Sequence, residues 1–184
     1  AEACRAQATG MAAMTTALLC QLEQGDHVVA ARAAFGSCRW LTDNLLPKWG
    51  ITTTTIDSRD NDAWKAAIQP NTKVFFFETP ANPTMDIVDM AYVCGLAKEH
   101  GITHIAHAIN ADDLSDYRPG IKAASEMGLI APLVDVKLTK EEIRFLSKEM
   151  GLVTWDHPSM ACLASRIPYG EPITDEKISM VQRA

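Results

Sequence analysis

A thiol beside a guanidinium is the most reactive pairing in this sequence. Cys162 stands four positions before Arg166, with Ser165 between them, in the irregular stretch 155–170. A neighbouring cation lowers a thiol's pKa and exposes the thiolate as a nucleophile. The plainer alternative is a loop thiol, with Arg166 paired to a surface carboxylate. Gly10, at a strand-to-helix turn, offers different chemistry: backbone N–H groups there can approach an anion, helped by the helix dipole. Its plainer alternative is a packing turn. Asp112 and Asp113 form an acidic turn that could attract a divalent ion, although a solvated turn suits them better. His104 and His107, three apart on an expected strand, point to opposite faces and make a poor metal pair. No metal site is expected, and CxxC, HExxH and GxSxG patterns are absent.

These residues must be positioned by alternating strands and helices. Residues 1–9 suit a short strand. Met11, Met14, Leu18, Leu19 and Leu22 recur at helical spacing before a stop at Gly25. Residues 27–31 form a brief apolar strand, and Leu41, Leu45 and Leu46 mark a second helix that Pro47 and Gly50 end. The β-branched run 51–56 predicts a strand, and 60–68 a short helix with Asp and Asn caps. Lys73 to Glu78 is apolar without alternation and predicts a central parallel strand covered on both faces. A rigid loop, Glu78-Thr79-Pro80-Ala81-Asn82-Pro83, leads to a helix over 86–100. A buried strand is expected over 102–109, a helix over 119–127, and a strand broken by Pro132 over 129–134. A capping box, Thr139 with Glu142, opens the next helix, and Thr174 caps the last. The alternation predicts an α/β fold: a three-layer α/β/α sandwich on a mainly parallel, doubly wound, Rossmann-like sheet of about five or six strands. One composite domain over 1–184 is expected. In such sheets ligands sit outside the carboxyl ends of the strands.

Composition narrows the partners. A hydrophobic content of 47% supports a core, and a net charge of −6 without a basic stripe argues against nucleic acid or an anionic membrane. No apolar run approaches the ~20 residues of a membrane span. Five cysteines without paired spacing suggest reduced thiols and a cytoplasmic setting. Cys20, Cys38 and Cys94 are expected as small core residues. The start is not a signal peptide, and the lack of an initiator Met suggests a fragment or a processed chain.

The strings ATGMAAMTTALLCQLEQGDHVVAARAAFGSCRWL and TKVFFFETPANPTMDIVD resemble the Cys/Met-metabolism family of pyridoxal-phosphate enzymes, of fold type I and O-succinylhomoserine sulfhydrylase-like, over about residues 1–102. The resemblance implies that the N–H groups at Gly10 and Met11 hold the cofactor phosphate. It puts Phe35 in the place of the aromatic residue stacked on the pyridine ring, Asn82 near the ring hydroxyl, and Glu78 in support of the loop. It also implies two groups with no counterpart here: an Asp ending the next strand, where this chain runs His104-Ile105-Ala106-His107-Ala108-Ile109, and a lysine that bonds the cofactor.

From about Thr103 on, INADDLSDYRPGIKAASEMGLIAPL and LTKEEIRFLSKEMGLVTWDHPSMACLASRIPYGEPIT resemble the ATP-dependent sacrificial sulfur transferases of the PP-loop superfamily, which serve nickel-pincer cofactor biosynthesis. That resemblance implies Cys162 as sulfur donor, Arg166 and Ser165 near an anion, and Asp112 and Asp113 on the nucleotide side of a cleft. The family's Gly-rich SGGxDS phosphate loop has no counterpart. Together the two resemblances imply a recombined or engineered chimera of halves 1–102 and 103–184, with vestigial pyridoxal-phosphate and ATP sites and no complete active site. They imply no cofactor, no native catalysis, and a monomer or adventitious dimer, with phosphate or sulfate as the conceivable ligand. The alternatives are residual pyridoxal-phosphate or phosphate binding at the Gly10 turn and residual ATP-linked sulfur transfer at Cys162.

Overall fold

A computed structural model describes residues 7–82, 84–107, 109–115, 130–153, 155–156, 166–168 and 170–183. Three parallel strands form its sheet: β1 (His27–Ala31), β2 (Thr52–Ile56) and β3 (Thr72–Phe76), in the order β2-β1-β3. The fold is α/β with a small parallel sheet. Among the described residues it has three strands and one isolated parallel bridge, Ala106 to Ile130, where five or six strands were expected.

β1 is the central strand, buried along its whole length. Its alternation divides the core. Val28 and Ala30 face Leu18, Leu22, Leu41, Leu46 and Ile51 on one side, and Val29 faces Ile56, Trp64, Val88, Val93 and Leu96 on the other. Helices α1 (Gly10–Leu19) and α2 (Gly36–Trp40) lie on the first side, α3 (Asn61–Ala66) and α4 (Met90–Glu99) on the second. β3 was expected to be central. Among the described residues it pairs on one side only, with β1, and Lys73 is exposed while Val74, Phe75 and Phe76 are half-buried. An unbroken apolar run does not distinguish a central strand from an edge whose faces are only partly covered.

Caps explain most boundaries. Asp60 accepts from the N–H groups of Asp62 and Ala63 to open α3, and Asp89 from that of Tyr92 to open α4. After α2 the chain tightens through a π turn (Leu41–Leu45) and a 3-10 turn (Leu46–Trp49) into Gly50 at φ 73°. A Cβ at Gly50 would come within 2.8 Å of Gln24 Cγ, an exposed side chain that can shift, so it is the positive φ that favours glycine. Gly25, expected to stop α1, instead shapes the turn into β1, its N–H bonded to the Gly50 carbonyl at 2.9 Å.

The expected strand over 102–109 is reduced to the Ala106–Ile130 bridge, with Thr103, His104 and Ala106 exposed. The helix expected over 119–127 lies outside the described residues, and Pro132 opens a one-turn helix, α5 (Pro132–Asp135), rather than breaking a strand. Helix α6 (Lys140–Glu149) carries the expected capping box, Thr139 reciprocating with Glu142, whose carboxyl those bonds hold below its ordinary range. Thr139→Ala should lower α6 stability by about 1 kcal/mol, read as an earlier helical melt in circular dichroism. Helix α7 (Asp175–Arg183) follows Thr174, whose hydroxyl accepts from Lys177 N–H. Among the described residues, no helix is long and apolar enough to cross a membrane.

Candidate functional site

In a parallel sheet the carboxyl ends of all strands open on one edge, and here three loops meet there. The loop after β1 presents Phe35, the loop after β3 presents Glu78 and Asn82, and the loop after β2 presents Asp57 and Arg59. Glu78 Oε2 accepts from the Phe35 N–H at 2.9 Å, tying the β3 loop to the start of α2 across 43 residues of sequence. Phe35 itself is 46% exposed. Asp57 takes three hydrogen bonds from Arg59, which lower its carboxyl to about 2, and Arg59 reaches Asp86 at 3.8 Å. The β2 end is thereby linked to the Asn82 loop, which contains the cis peptide Thr79–Pro80. Thr79 Oγ1 accepts from Val88 N–H at 3.1 Å and closes the loop.

Helix α1 (ten residues, ~15 Å) lies against α2, which follows the carboxyl end of β1, and Met11 packs against the same core cluster as Val74 and Phe76. Four N–H groups at a helix start lack intrahelical partners. Thr9 Oγ1 takes that of Ala12 at 3.1 Å, and those of Gly10 and Met11 face no acceptor among the described residues. A Cβ on Gly10 would meet nothing within 4 Å, so a small side chain fits at that position. Two N–H groups without acceptors at a positive helix end, an exposed aromatic ring ahead of the adjoining helix and a neighbouring amide at Asn82 fit a phosphorylated aromatic ligand.

Two contributors were missed from sequence. Thr9 is a standard helix N-cap one position before Gly10, so a cap search would have found it. Cys38 was expected as a core residue. It is only half-buried, and burial together with the Glu78 carboxylate raises its thiol pKa. Cys94 is buried as expected, whereas Cys20 is exposed.

The other candidates that are described have local partners of their own. Asp112 Oδ2 accepts from the Lys140 N–H and so caps α6, while Asp113 Oδ2 accepts from Asn110 N–H at 3.0 Å and closes its own turn. Arg166 lines a cavity of about 240 Å³ with Ile167, Pro168, Lys177, Met180 and Val181. Cys162 and Ser165 lie outside the described residues.

Comparison with known proteins places this geometry. The family model for Cys/Met metabolism PLP-dependent enzymes matches residues 1–110. An O-succinylhomoserine sulfhydrylase of Mycobacterium tuberculosis is 40% identical over 116 residues, 63% of this chain and 26% of that protein. The uncharacterized protein slr1717 of Synechocystis sp. is 39% identical over 115 residues, 62% of this chain and 40% of its own length. An O-acetylhomoserine (thiol)-lyase (metY) from Campylobacter jejuni, solved with a pyridoxyl-lysine monophosphate, superposes with a TM-score of 0.52 at 32% identity, covering 56% of this chain and 25% of that one. The chain thus spans 40% or less of the length of these proteins. The expectation of no cofactor is overturned, because the matched family is pyridoxal-phosphate-dependent and the match includes Gly10, Phe35, Glu78 and Asn82. That expectation gave too much weight to the missing lysine and Asp and too little to the extent of the family match over residues 1–110. With 110 of its 184 residues matched, the chain belongs to the Cys/Met-metabolism family of PLP-dependent enzymes.

Proposed function

We propose that this chain carries the phosphate and ring contacts of a pyridoxal-phosphate site and binds the cofactor reversibly, without supplying turnover by itself. The observation that carries this reading is the pair of N–H groups at Gly10 and Met11, which have no acceptor among the described residues, at the start of a helix packed beside the one that follows the exposed Phe35. Gly10 and Met11 would hold the phosphate dianion at the helix end, Phe35 would cover one ring face, and Asn82 would meet the ring's polar rim. Glu78 acts through Phe35 by fixing its backbone. When bound, pyridoxal phosphate supplies an electron sink for amino-acid chemistry.

Titration of the chain with pyridoxal phosphate, followed by absorbance and by quenching of tryptophan fluorescence, tests this. Gly10→Ala has room for its methyl and should bind as the parent does. Gly10→Asp sets a carboxylate against the phosphate and should weaken binding by about tenfold, the equivalent of ~1.4 kcal/mol. No saturable binding by the parent, or equal binding by a folded Gly10→Asp, would refute the proposal.

A second reading is favoured by the extent of the family match, which stops at residue 110, and by the exposed Phe145, Met150 and Met180 on α6 and α7. Here the chain is a recombined or engineered chimera whose second part, from about Thr103, derives from an ATP-dependent sulfur transferase. Incubation with ATP and an acceptor carboxylate tests whether that part still reacts. Loss of one sulfur from Cys162 by mass spectrometry would show surviving transfer chemistry, and an unchanged mass would favour an inert second part.

A further inference from the structure

Asn82 stands in the loop between β3 and α4, and that loop is tied at both ends. At its start Glu78 takes the Phe35 N–H, and near its finish Val88 N–H reaches back to Thr79 Oγ1. Between these ties a tighter turn contains Asn82. Ala81 N–H donates to Asp86 O at 3.0 Å, and Met85 N–H donates to Ala81 O at 2.7 Å. Both backbone groups of Ala81 are therefore engaged by the far side of the turn, and Asn82 follows it directly.

The turn is strained. Met85 has φ 59°, in the left-handed region that a residue with a side chain enters at a cost. Its side chain is exposed, so it contributes little packing in return. Strain of this kind persists only where the surroundings hold it.

Arg59 supplies such a hold from the loop after β2. Its Nε lies 3.8 Å from Asp86 Oδ2, the residue whose carbonyl accepts from Ala81. The guanidinium is oriented before it reaches Asp86: Nε and Nη2 donate to the two oxygens of Asp57 at 3.0 and 2.8 Å, a fork that fixes its plane. The Arg59 N–H also donates to Asp57 Oδ1 at 3.1 Å. An isolated exposed ion pair contributes little. Here the fork has already restricted Arg59, and the Asp86 side chain is only 19% exposed, which limits screening by salt.

We infer that Arg59 is a positioning residue for the cofactor ring: through Asp86 it holds the turn that sets the Asn82 amide, and it takes no part in binding the phosphate. This role rests on the cofactor reading above. It divides the work of recognition between two places in the chain, with the phosphate held at the start of α1 and the ring's polar rim met by a loop that Arg59 keeps in shape.

Amide exchange by NMR and ligand titration, both on the full chain, test the role. In ligand-free Arg59→Gln the Ala81 and Met85 amides should exchange roughly threefold faster, the scale of one networked ion pair. Affinity for pyridoxal phosphate should fall by about the same factor, while affinity for inorganic phosphate stays at the parent value. In an Asn82→Ala background, Arg59→Gln should cause no further loss of pyridoxal-phosphate affinity, because the amide it acts through is gone. The inference is overturned if the two amides are unprotected in the parent or unmoved in the variant. An equal fall in phosphate affinity overturns it as well. So does a loss that persists in the Asn82→Ala background, which would put Arg59 itself on the ligand. A parent chain that does not bind pyridoxal phosphate overturns the cofactor reading and this role with it, whereas parental binding with unmoved amides overturns this role alone.

Discussion

Trp64→Ala should cost about 3–5 kcal/mol, a large share of the ~5–15 kcal/mol that a domain commonly has. Trp64 is fully buried, its indole N–H donates to Ser58 O at 3.0 Å, and its ring lies 5.6 Å from Phe75 and 5.7 Å from Phe77. It fills the layer between the sheet and helices α3 and α4, so its loss opens a cavity and leaves a buried carbonyl without its donor. Urea unfolding should show a lower midpoint, with the near-ultraviolet circular dichroism of the aromatic cluster weakened before unfolding begins. Trp64→Phe retains most of the volume and should lose markedly less. Equal losses for the two variants would show that cavity volume does not set the cost.

The second large effect comes from His27, fully buried at the amino edge of the sheet. Its Nδ1 lies 2.8 Å from Thr72 Oγ1 and its Nε2 2.9 Å from Thr54 Oγ1, so one ring joins all three strands. Thr72 Oγ1 also accepts from Gln69 N–H at 2.8 Å, which turns its hydroxyl hydrogen toward Nδ1. The hydrogen-bond pattern therefore assigns the proton to Nε2, which donates to Thr54. Burial lowers the His27 pKa from its ordinary 6.5, with no carboxylate set to stabilise a positive ring. In the acid range the unfolded chain therefore binds a proton that the folded chain resists. Stability should be full above about pH 6.5 and fall as pH drops from there toward the lower folded value. His27→Asn should be less stable near neutrality by about 2–4 kcal/mol, through lost volume and the loss of both ring hydrogen bonds to Thr54 and Thr72. It should also lack this acid-side slope. Urea midpoints across that pH range, for parent and variant, provide the check. An equal slope in both would remove His27 from the account.

How much of this was legible beforehand depended on whether the determinant was local. Asp60, Thr139 and Thr174 were readable as caps because a cap needs only its next three residues. The run Thr52–Ile56 was readable as a strand from β-branching alone. Which strand lay in the centre was not, because strand order depends on contacts between residues 27, 52 and 72. The His27 clip is nonlocal for the same reason, and neither threonine is distinctive in the sequence. At the site, Gly10, Phe35, Glu78 and Asn82 were recognisable through the strings that contain them, yet the bond from Phe35 to Glu78 spans a separation no spacing rule encodes. That Asp112 also caps α6 was not legible, because an acidic turn and an external cap look alike until Lys140 is placed.

The carboxylate that steadies Phe35 has a consequence for the sulfur one helical turn away. By its negative charge, Glu78 reinforces burial in keeping Cys38 as the neutral thiol. A thiol in that form adds slowly to carbonyl carbon, so an aldehyde admitted to this edge meets a sulfur that does not trap it.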